Sequence, residues 1–271
     1  MTLHVLPDLA QGTTEWHDQR RGIVTASVVG KLLTLEPPSA VTVDCPKCKA
    51  TAGSPCISLA RKEPTPVKTY HPERCAITAE MPHEITVADN DTSRSLTATL
   101  AAERVTGFTE DTPMSRDMYR GVWSEPLARD LYSGHYQQAV ETGFMRRDED
   151  GWTLGYSPDG LVADDGLIEI KAPRSKTQFL TAITDEVPAH YMAQCQSGLL
   201  VSGRKWIDFV SYVGGMHIYV KRVTPDPAWF AAIEAACRRF ETNAAALVAT
   251  YSKRVEGRPV AERIDFDLEV I

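Results

Sequence analysis

Two acids and a lysine stand at a spacing suited to phosphodiester hydrolysis. In Leu167-Ile168-Glu169-Ile170-Lys171-Ala172 the alternation predicts a strand with both isoleucines on one face and Glu169 and Lys171 together on the other. Upstream, Tyr156-Ser157-Pro158-Asp159-Gly160 places Asp159 at a strand end or turn, and the short connection through Asp164-Asp165-Gly166 could fold it back beside Glu169. Carboxylates are hard oxygen ligands. A Mg²⁺ or Mn²⁺ ion between them would polarise a phosphate and acidify a bound water, with Lys171 orienting that water or balancing charge. A strand alternating apolar and charged residues is by itself what any half-solvated sheet presents. The preceding aspartate is what turns the reading toward chemistry.

A second group has the makings of a metal site. Cys45 and Cys48 form a CPKC pair, followed by Cys56, His71 and Cys75. One close pair with later soft ligands suits tetrahedral zinc, and Cys45, Cys48, Cys56 and His71 are the preferred ligands, with Cys75 the alternate fourth. An iron–sulfur cluster on four cysteines is the minor alternative. The stretch from Cys45 to Cys75 carries Lys47, Lys49, Arg61, Lys62, Lys68 and Arg74 against Glu63 and Glu73, a net +4 in a chain whose total is −7. This asymmetry favours a nucleic-acid contact over a zinc knuckle that merely staples an insertion. Cys195 and Cys237 lie on apolar helical faces and read as core residues. His17, His135, His190 and His217 have no partner at ligand spacing and read as structural or surface residues.

These groups need a scaffold. The chain has 271 residues, 43% hydrophobic and 24% charged, which fits a globular protein with one sizeable core and an appendage. No run approaches the roughly 18 apolar residues of a membrane span, and the N-terminal sequence lacks a secretory pattern, so a cytoplasmic location is expected. Apolar periodicity predicts a turn leading into a helix over Trp16 to Leu33, ended by Glu36-Pro37-Pro38. From Pro37 to about Pro82 that periodicity is lost, which marks an inserted module. Helices are expected over Ser93 to Thr106 and Met118 to Tyr132, the latter packing Trp123, Leu127 and Leu131 on a sheet. Strands follow from Phe144, over Trp152 to Tyr156 and over Leu167 to Ala172, then a helix from Ala189 to Val201. Trp206 to Val213 and Met216 to Val223 read as a hairpin across Gly214-Gly215. A last helix after Asp226-Pro227 carries Trp229, Ile233, Cys237, Phe240 and Leu247 on one face. The fold class is α/β, a central mixed sheet flanked by helices, with residues 1–36 and 83–271 as the core and 37–82 as the zinc module.

Four segments, in order, resemble the lambda-type phage exonucleases (the YqaJ-like viral recombinase family of the PD-(D/E)xK nucleases). They are Trp16 to Ser27, the helix containing Glu125, Ser157 to Leu161 with Ile168 to Pro173, and His190 to Gln196. The resemblance spans about Trp16 to Tyr212 and skips the insertion. It implies the restriction-endonuclease-like core, with Asp159, Glu169, Glu125 and the backbone carbonyl of Ile170 as metal ligands and Lys171 on the nucleophilic water. It implies a catalytic part for Gln194, with Tyr191 on the same helix face. Arg20, Ser27 and Ser157 resemble the residues that hold a terminal 5′-phosphate, a task suited to a bidentate guanidinium and hydroxyls. The family also has an arginine shortly after the catalytic lysine; Thr177 stands at that place, leaving Arg174 or Lys176 to substitute. The cysteine segment is similar to the small zinc-binding modules of actinobacterial phage proteins.

The expected function is therefore a Mg²⁺-dependent 5′→3′ exonuclease on double-stranded DNA ends, leaving 3′ single strands for a single-strand annealing protein. The resemblance further implies a homo-oligomer, a trimeric ring around DNA, in a bacterial host and of phage origin. The competing readings are a structure-specific endonuclease on the same core and a non-catalytic zinc-containing DNA-binding protein. An intact acid, acid, lysine set speaks against the last, because a binding protein gains nothing from crowding acids beside a phosphate.

Overall fold

The computed structural model describes residues 2–60, 63, 65–110 and 113–263. In chain order the elements are β1 (Thr2–Leu6), α1 (Thr14–Arg20), β2 (Val24–Thr25), α2 (Ala26–Val29), β3 (Leu33–Glu36), α3 (Pro72–Ala79), β4 (Glu84–Val87), α4 (Asp91–Thr106), α5 (Arg116–His135), β5 (Ala139–Val140) and β6 (Phe144–Glu149). They continue with β7 (Trp152–Tyr156), β8 (Gly160–Val162), β9 (Gly166–Lys171), α6 (Ser175–Thr184), α7 (Ala189–Ser202), β10 (Trp206–Ser211), β11 (Tyr219–Val223) and α8 (Pro227–Val255). The strands form a sheet ordered β1-β6-β7-β2, a sheet ordered β11-β10-β9-β8-β5 and a β3-β4 pair. Within the five-stranded sheet β9 and β10 run parallel and the other neighbours antiparallel, the mixed α/β arrangement expected.

The local signals explain most boundaries. Asn90 caps α4 by accepting from Ser93 N–H, and the Ser93 hydroxyl accepts from Asn90 N–H, a reciprocal capping box. The carboxylate of Asp226 accepts from Ala228 N–H at the start of α8, with Pro227 preorganising the first turn. On α8 Trp229, Ile233, Cys237 and Phe240 are buried beside Tyr156, Leu154 and Leu199, whereas Leu247, expected on the same face, is exposed and Ala244 is the buried residue nearby. Each large buried side chain contributes about 1.5–3 kcal/mol.

Two expectations are corrected. The segment Trp16 to Leu33 is not one helix: α1 stops at Arg20, Gly22 takes φ +68°, and Val24–Thr25 pairs in parallel with Leu154 and Gly155. The left-handed turn and the strand pairing override helical periodicity, and a Cβ at Gly22 would also stand 2.5 Å from Arg104 Cγ. The stripe of Trp123 and Leu127 on α5 does not face the sheet. Both are exposed, and the residues packed inward are Ala128 and Tyr132, whose hydroxyl donates to buried Asp208 at 2.7 Å. A small residue and a hydrogen-bonded tyrosine allow the close approach of α5 to β9 that a tryptophan would block.

The antiparallel pair β3-β4, with Glu36 opposite Glu84, brackets the cysteine-rich stretch, so its ends return to one place on the core. No helix among the described residues is long and apolar enough to cross a membrane.

Candidate active site and zinc site

Strand β9 delivers the first group. Register with β10 sets Glu169 opposite Phe209 and Lys171 opposite Ser211. Glu169 is fully buried, and its Oε1 accepts from Lys171 Nζ at 2.6 Å while its Oε2 accepts from Tyr156 Oη at 3.3 Å. Asp159, in the turn between β7 and β8, accepts from Ile170 N–H through Oδ2 at 2.6 Å, so it is folded back onto β9. Burial, and then the Glu169 charge, push the Asp159 carboxyl well above the usual carboxylate range. Burial alone would lower the Lys171 ammonium, but Glu169 and Asp159 outweigh it and raise it. Glu125 on α5 is also raised, by burial against the opposing pull of Arg129.

Asp159, Glu169, Lys171, Glu125 and Tyr156 line one cavity of about 750 Å³, together with Ile170, Arg20, Ser27, Ser157, Tyr191, Gln194 and Arg174. Lys176 does not; it is exposed on α6, and Thr177 itself lines the cavity. One turn of helix separates the side chains at the start of α6, so Arg174 and Thr177 share a face that Lys176 leaves. Arg174 is exposed and bonded to Asp117 at 3.2 Å. At the other end of the cavity Arg20 stacks on the Trp16 ring at 4.0 Å and donates to Ser27 Oγ at 3.3 Å and Thr25 Oγ1 at 3.5 Å. The Trp16 indole donates to Ser157 Oγ at 3.0 Å. Burial lowers the Arg20 guanidinium to about 10, against the opposing charge of Glu103, so it remains cationic at neutral pH. A cation backed by an aromatic ring and ringed by hydroxyls is a ready anion pocket.

Helix α7 approaches β7 so closely that a Cβ at Gly198 would stand 2.7 Å from the Tyr156 ring; the glycine lets this helix bring Tyr191 and Gln194 to the cavity. Lys171 Nζ lies 5.6 Å from the Tyr191 ring centroid. His190, read from the sequence as a structural or surface residue, lines the cavity too. Sequence reasoning missed Trp16, Thr25, Tyr156 and Arg129. Trp16 and Tyr156 sat within quoted segments without an assigned role, and the i+4 spacing of Arg129 from Glu125 was a signal that could have found it.

The donors suit a hard divalent ion. Lys171, Arg129 and Ile170 N–H each take one carboxylate oxygen, and among the described residues Asp159 Oδ1 and Glu125 Oε2 accept no hydrogen bond. Both belong to a buried, acid-rich cavity whose raised carboxyls a cation would relieve.

The ligand atoms of Cys45, Cys48, Cys56 and His71 all lie within 4.8 Å of one another, with Cys45 Sγ 3.4 Å from His71 Nδ1. Edges of about 3.3–3.8 Å are what metal–ligand bonds of about 2.0–2.3 Å produce in a tetrahedron, so this set fits zinc. Cys75 is exposed and outside the cluster, and His71 is its fourth member. Burial raises the Cys45 thiol; at Cys48 burial is outweighed by the backbone amides of Ile57 and Ala50, and the thiol falls to about 6. Of the basic residues of this stretch, Arg74 is fully buried and Lys47 pairs with Glu73 at 3.1 Å, while Lys49 and Lys68 are exposed. Arg61 and Lys62 lie outside the described residues.

The chain is similar to the alkaline exonuclease LHK-Exo of Laribacter hongkongensis at 26% identity, with 90% of this chain and 98% of that chain covered and a TM-score of 0.64. The same protein in complex with dAMP gives a TM-score of 0.63 at the same identity and coverage. No curated protein sequence matches the chain. Residues 10–89 match the family described as "Putative DNA-binding phage zinc finger domain". Residues 74–205 match the family described as "YqaJ-like viral recombinase domain".

Proposed function

We propose that this protein is a metal-dependent deoxyribonuclease that resects duplex DNA from 5′-phosphorylated ends in the 5′→3′ direction. A nuclease acting on DNA is the reading common to the recombinase-domain match and the alkaline exonuclease likeness. The observation that carries the finer statement is that one cavity joins the acid and lysine group of Asp159, Glu169, Lys171 and Glu125 to the anion pocket of Arg20, Ser27 and Ser157. A terminal phosphate in the pocket would set the adjoining phosphodiester at the acids, which is how an enzyme working from an end fixes its register.

Asp159, Glu169, Glu125 and the Ile170 carbonyl would hold Mg²⁺ or Mn²⁺, which when bound supplies Lewis acidity at the scissile phosphate. Lys171, kept protonated by Glu169 and Asp159, holds a water by donating to its oxygen and offsets the charge that gathers on the phosphate. Gln194 and Tyr191 border that space and Arg174 stands at its rim. Residues 1–36 and 83–271 act as the exonuclease core, and 37–82 as an inserted module that zinc folds. Exposed Val122, Trp123 and Leu127 on α5 and Phe179 and Ile183 on α6 support a homo-oligomer, a trimeric ring on DNA, since such apolar surface is costly to leave in water. The product, a 3′ single strand, would pass to a single-strand annealing protein in the cytoplasm of a bacterial host, consistent with a phage origin.

The test is incubation with Mg²⁺ and three duplexes: linear 5′-phosphorylated, linear 5′-hydroxyl and closed circular. Degradation of the linear DNA, fastest with the 5′-phosphate and absent on circles, is expected. Cleavage of circles would instead support the endonuclease reading, and no cleavage of any duplex the non-catalytic one.

A further inference from the structure

Arg129 is one helical turn after Glu125 on α5, and its side chain is only 11% exposed. Its guanidinium spans three partners from different parts of the chain. Nη2 donates to Glu125 Oε1 at 2.5 Å, Nε to the Asp159 backbone carbonyl at 2.7 Å and Nη1 to Glu141 Oε2 at 2.8 Å. Two of the three are fixed from outside α5: the Asp159 carbonyl belongs to the turn after β7, and Glu141 follows β5. The fork is thus clamped at Nε and Nη1, and the remaining nitrogen meets the carboxylate that must face the cavity. A lysine could make one of these contacts but not all three.

Glu125 needs this support. It sits on a helix opposite the turn that carries Asp159, with three rotatable bonds whose freedom must be given up for one oxygen to be held toward the cavity. A guanidinium bound to one oxygen holds the carboxylate in one rotamer, with the second oxygen left over.

We propose that Arg129 is a positioning residue for the divalent cation: clamped by the Asp159 carbonyl and Glu141, it holds Glu125 so that Oε2 is presented to the ion. The inference rests on the reading of Asp159, Glu169 and Glu125 as the cation site. Arg129 touches neither the ion nor the DNA; it acts through Glu125, as partners behind a metal ligand generally do. The alternative for a cation so near the site is competition, in which Arg129 repels the ion and its removal tightens binding.

The experiment measures Mn²⁺ binding to the zinc-loaded full chain without DNA, by electron paramagnetic resonance of the free ion. Arg129→Met and Arg129→Lys should each raise Kd by about tenfold to a hundredfold. If Arg129→Met does not fold, the lysine variant, which keeps the charge and the helix, carries the test. Glu141→Gln, at an exposed residue, should fall between the parent and Arg129→Lys. In a Glu125→Gln background the Arg129 substitution should add little, which a merely structural role would not produce. Unchanged or tighter binding in the Arg129 variants, or full additivity with Glu125→Gln, would overturn the inference while leaving the cation site standing. If Asp159→Asn and Glu125→Gln also leave Kd unchanged, the site reading itself fails and takes this inference with it.

Discussion

The guanidinium of Arg74 lies 3.5 Å from Cys56 Sγ, fully buried, and donates to the carbonyls of Val43, Ser54, Val41 and Thr51 at 2.8–3.2 Å. In a segment whose apolar cluster is little more than Cys45, Cys48, Cys56 and a few partly buried neighbours, this arginine does what a hydrophobic core does elsewhere. It closes the loops around the candidate zinc ligands and supports the charge of a thiolate.

Arg74→Met should therefore unfold the module. Four carbonyls would lose a donor, at about 1–3 kcal/mol for each that stays buried and unsatisfied. The expected outcome is loss of tightly bound zinc, measured by elemental analysis of the purified variant, with the thermal transition of the nuclease core retained. Stoichiometric zinc in the variant would refute it. Chelation of zinc from the parent protein should likewise raise amide hydrogen exchange between about Cys45 and Cys75 and leave the rest protected.

Lys171→Ala and Asp159→Ala should each reduce nuclease activity by roughly two orders of magnitude or more, the scale of removing one electrostatic stabiliser. Circular dichroism should show the fold retained. Activity close to the parent's in either variant would contradict the assignment.

In the absence of added divalent ions, the Asp159 carboxyl predicts a pH dependence. Burial and Glu169 raise it, so over an interval of pH the folded chain keeps a proton that the unfolded chain has lost. Stability from this group is full below the unfolded value and is lost as pH rises through the folded one. Asp159→Asn removes that loss. Its melting temperature relative to the parent should climb as pH rises above the ordinary carboxylate range, as read by calorimetry, and a constant difference would count against the buried, raised carboxyl.

If the module contacts DNA, replacing Lys49 and Lys68 together with Arg61 and Lys62 should weaken binding and flatten its salt dependence, because fewer counterions are released. Lys47 should contribute less, since Glu73 already pairs with it. An unchanged slope of log affinity against log salt would assign the module a purely structural part.

Trp123→Glu and Ile183→Glu place charges on the exposed apolar faces of α5 and α6. If these faces join copies of the chain, light scattering should show each variant shifted toward monomer at micromolar concentration, with its fold intact. A parent protein that is itself monomeric under those conditions would refute the ring.

The residues alone determined the strand that carries Glu169 and Lys171, because a period of two fixes which side chains share a face whatever surrounds the strand. They also named the cysteines and the histidine from which the cluster is drawn, since ligand type is a local property. Tertiary structure decided what depends on partners distant in the chain. The helical periodicity over Trp16 to Leu33 gave way to a left-handed Gly22 and the pairing of Val24–Thr25 with β7, which no local pattern encodes. The stripe of Trp123 and Leu127 is periodic enough for a buried face, yet the sheet accepts Ala128 and Tyr132, because Asp208 on β10 waits for the tyrosine hydroxyl. His71 rather than Cys75 completes the sulfur cluster because the backbone ahead of α3 carries the imidazole toward Cys45 while Cys75, on the helix, remains at the surface. Helix spacing puts Arg129 beside Glu125, but its bond to the Asp159 carbonyl, a contact across 30 residues, exists only because the turn after β7 meets α5.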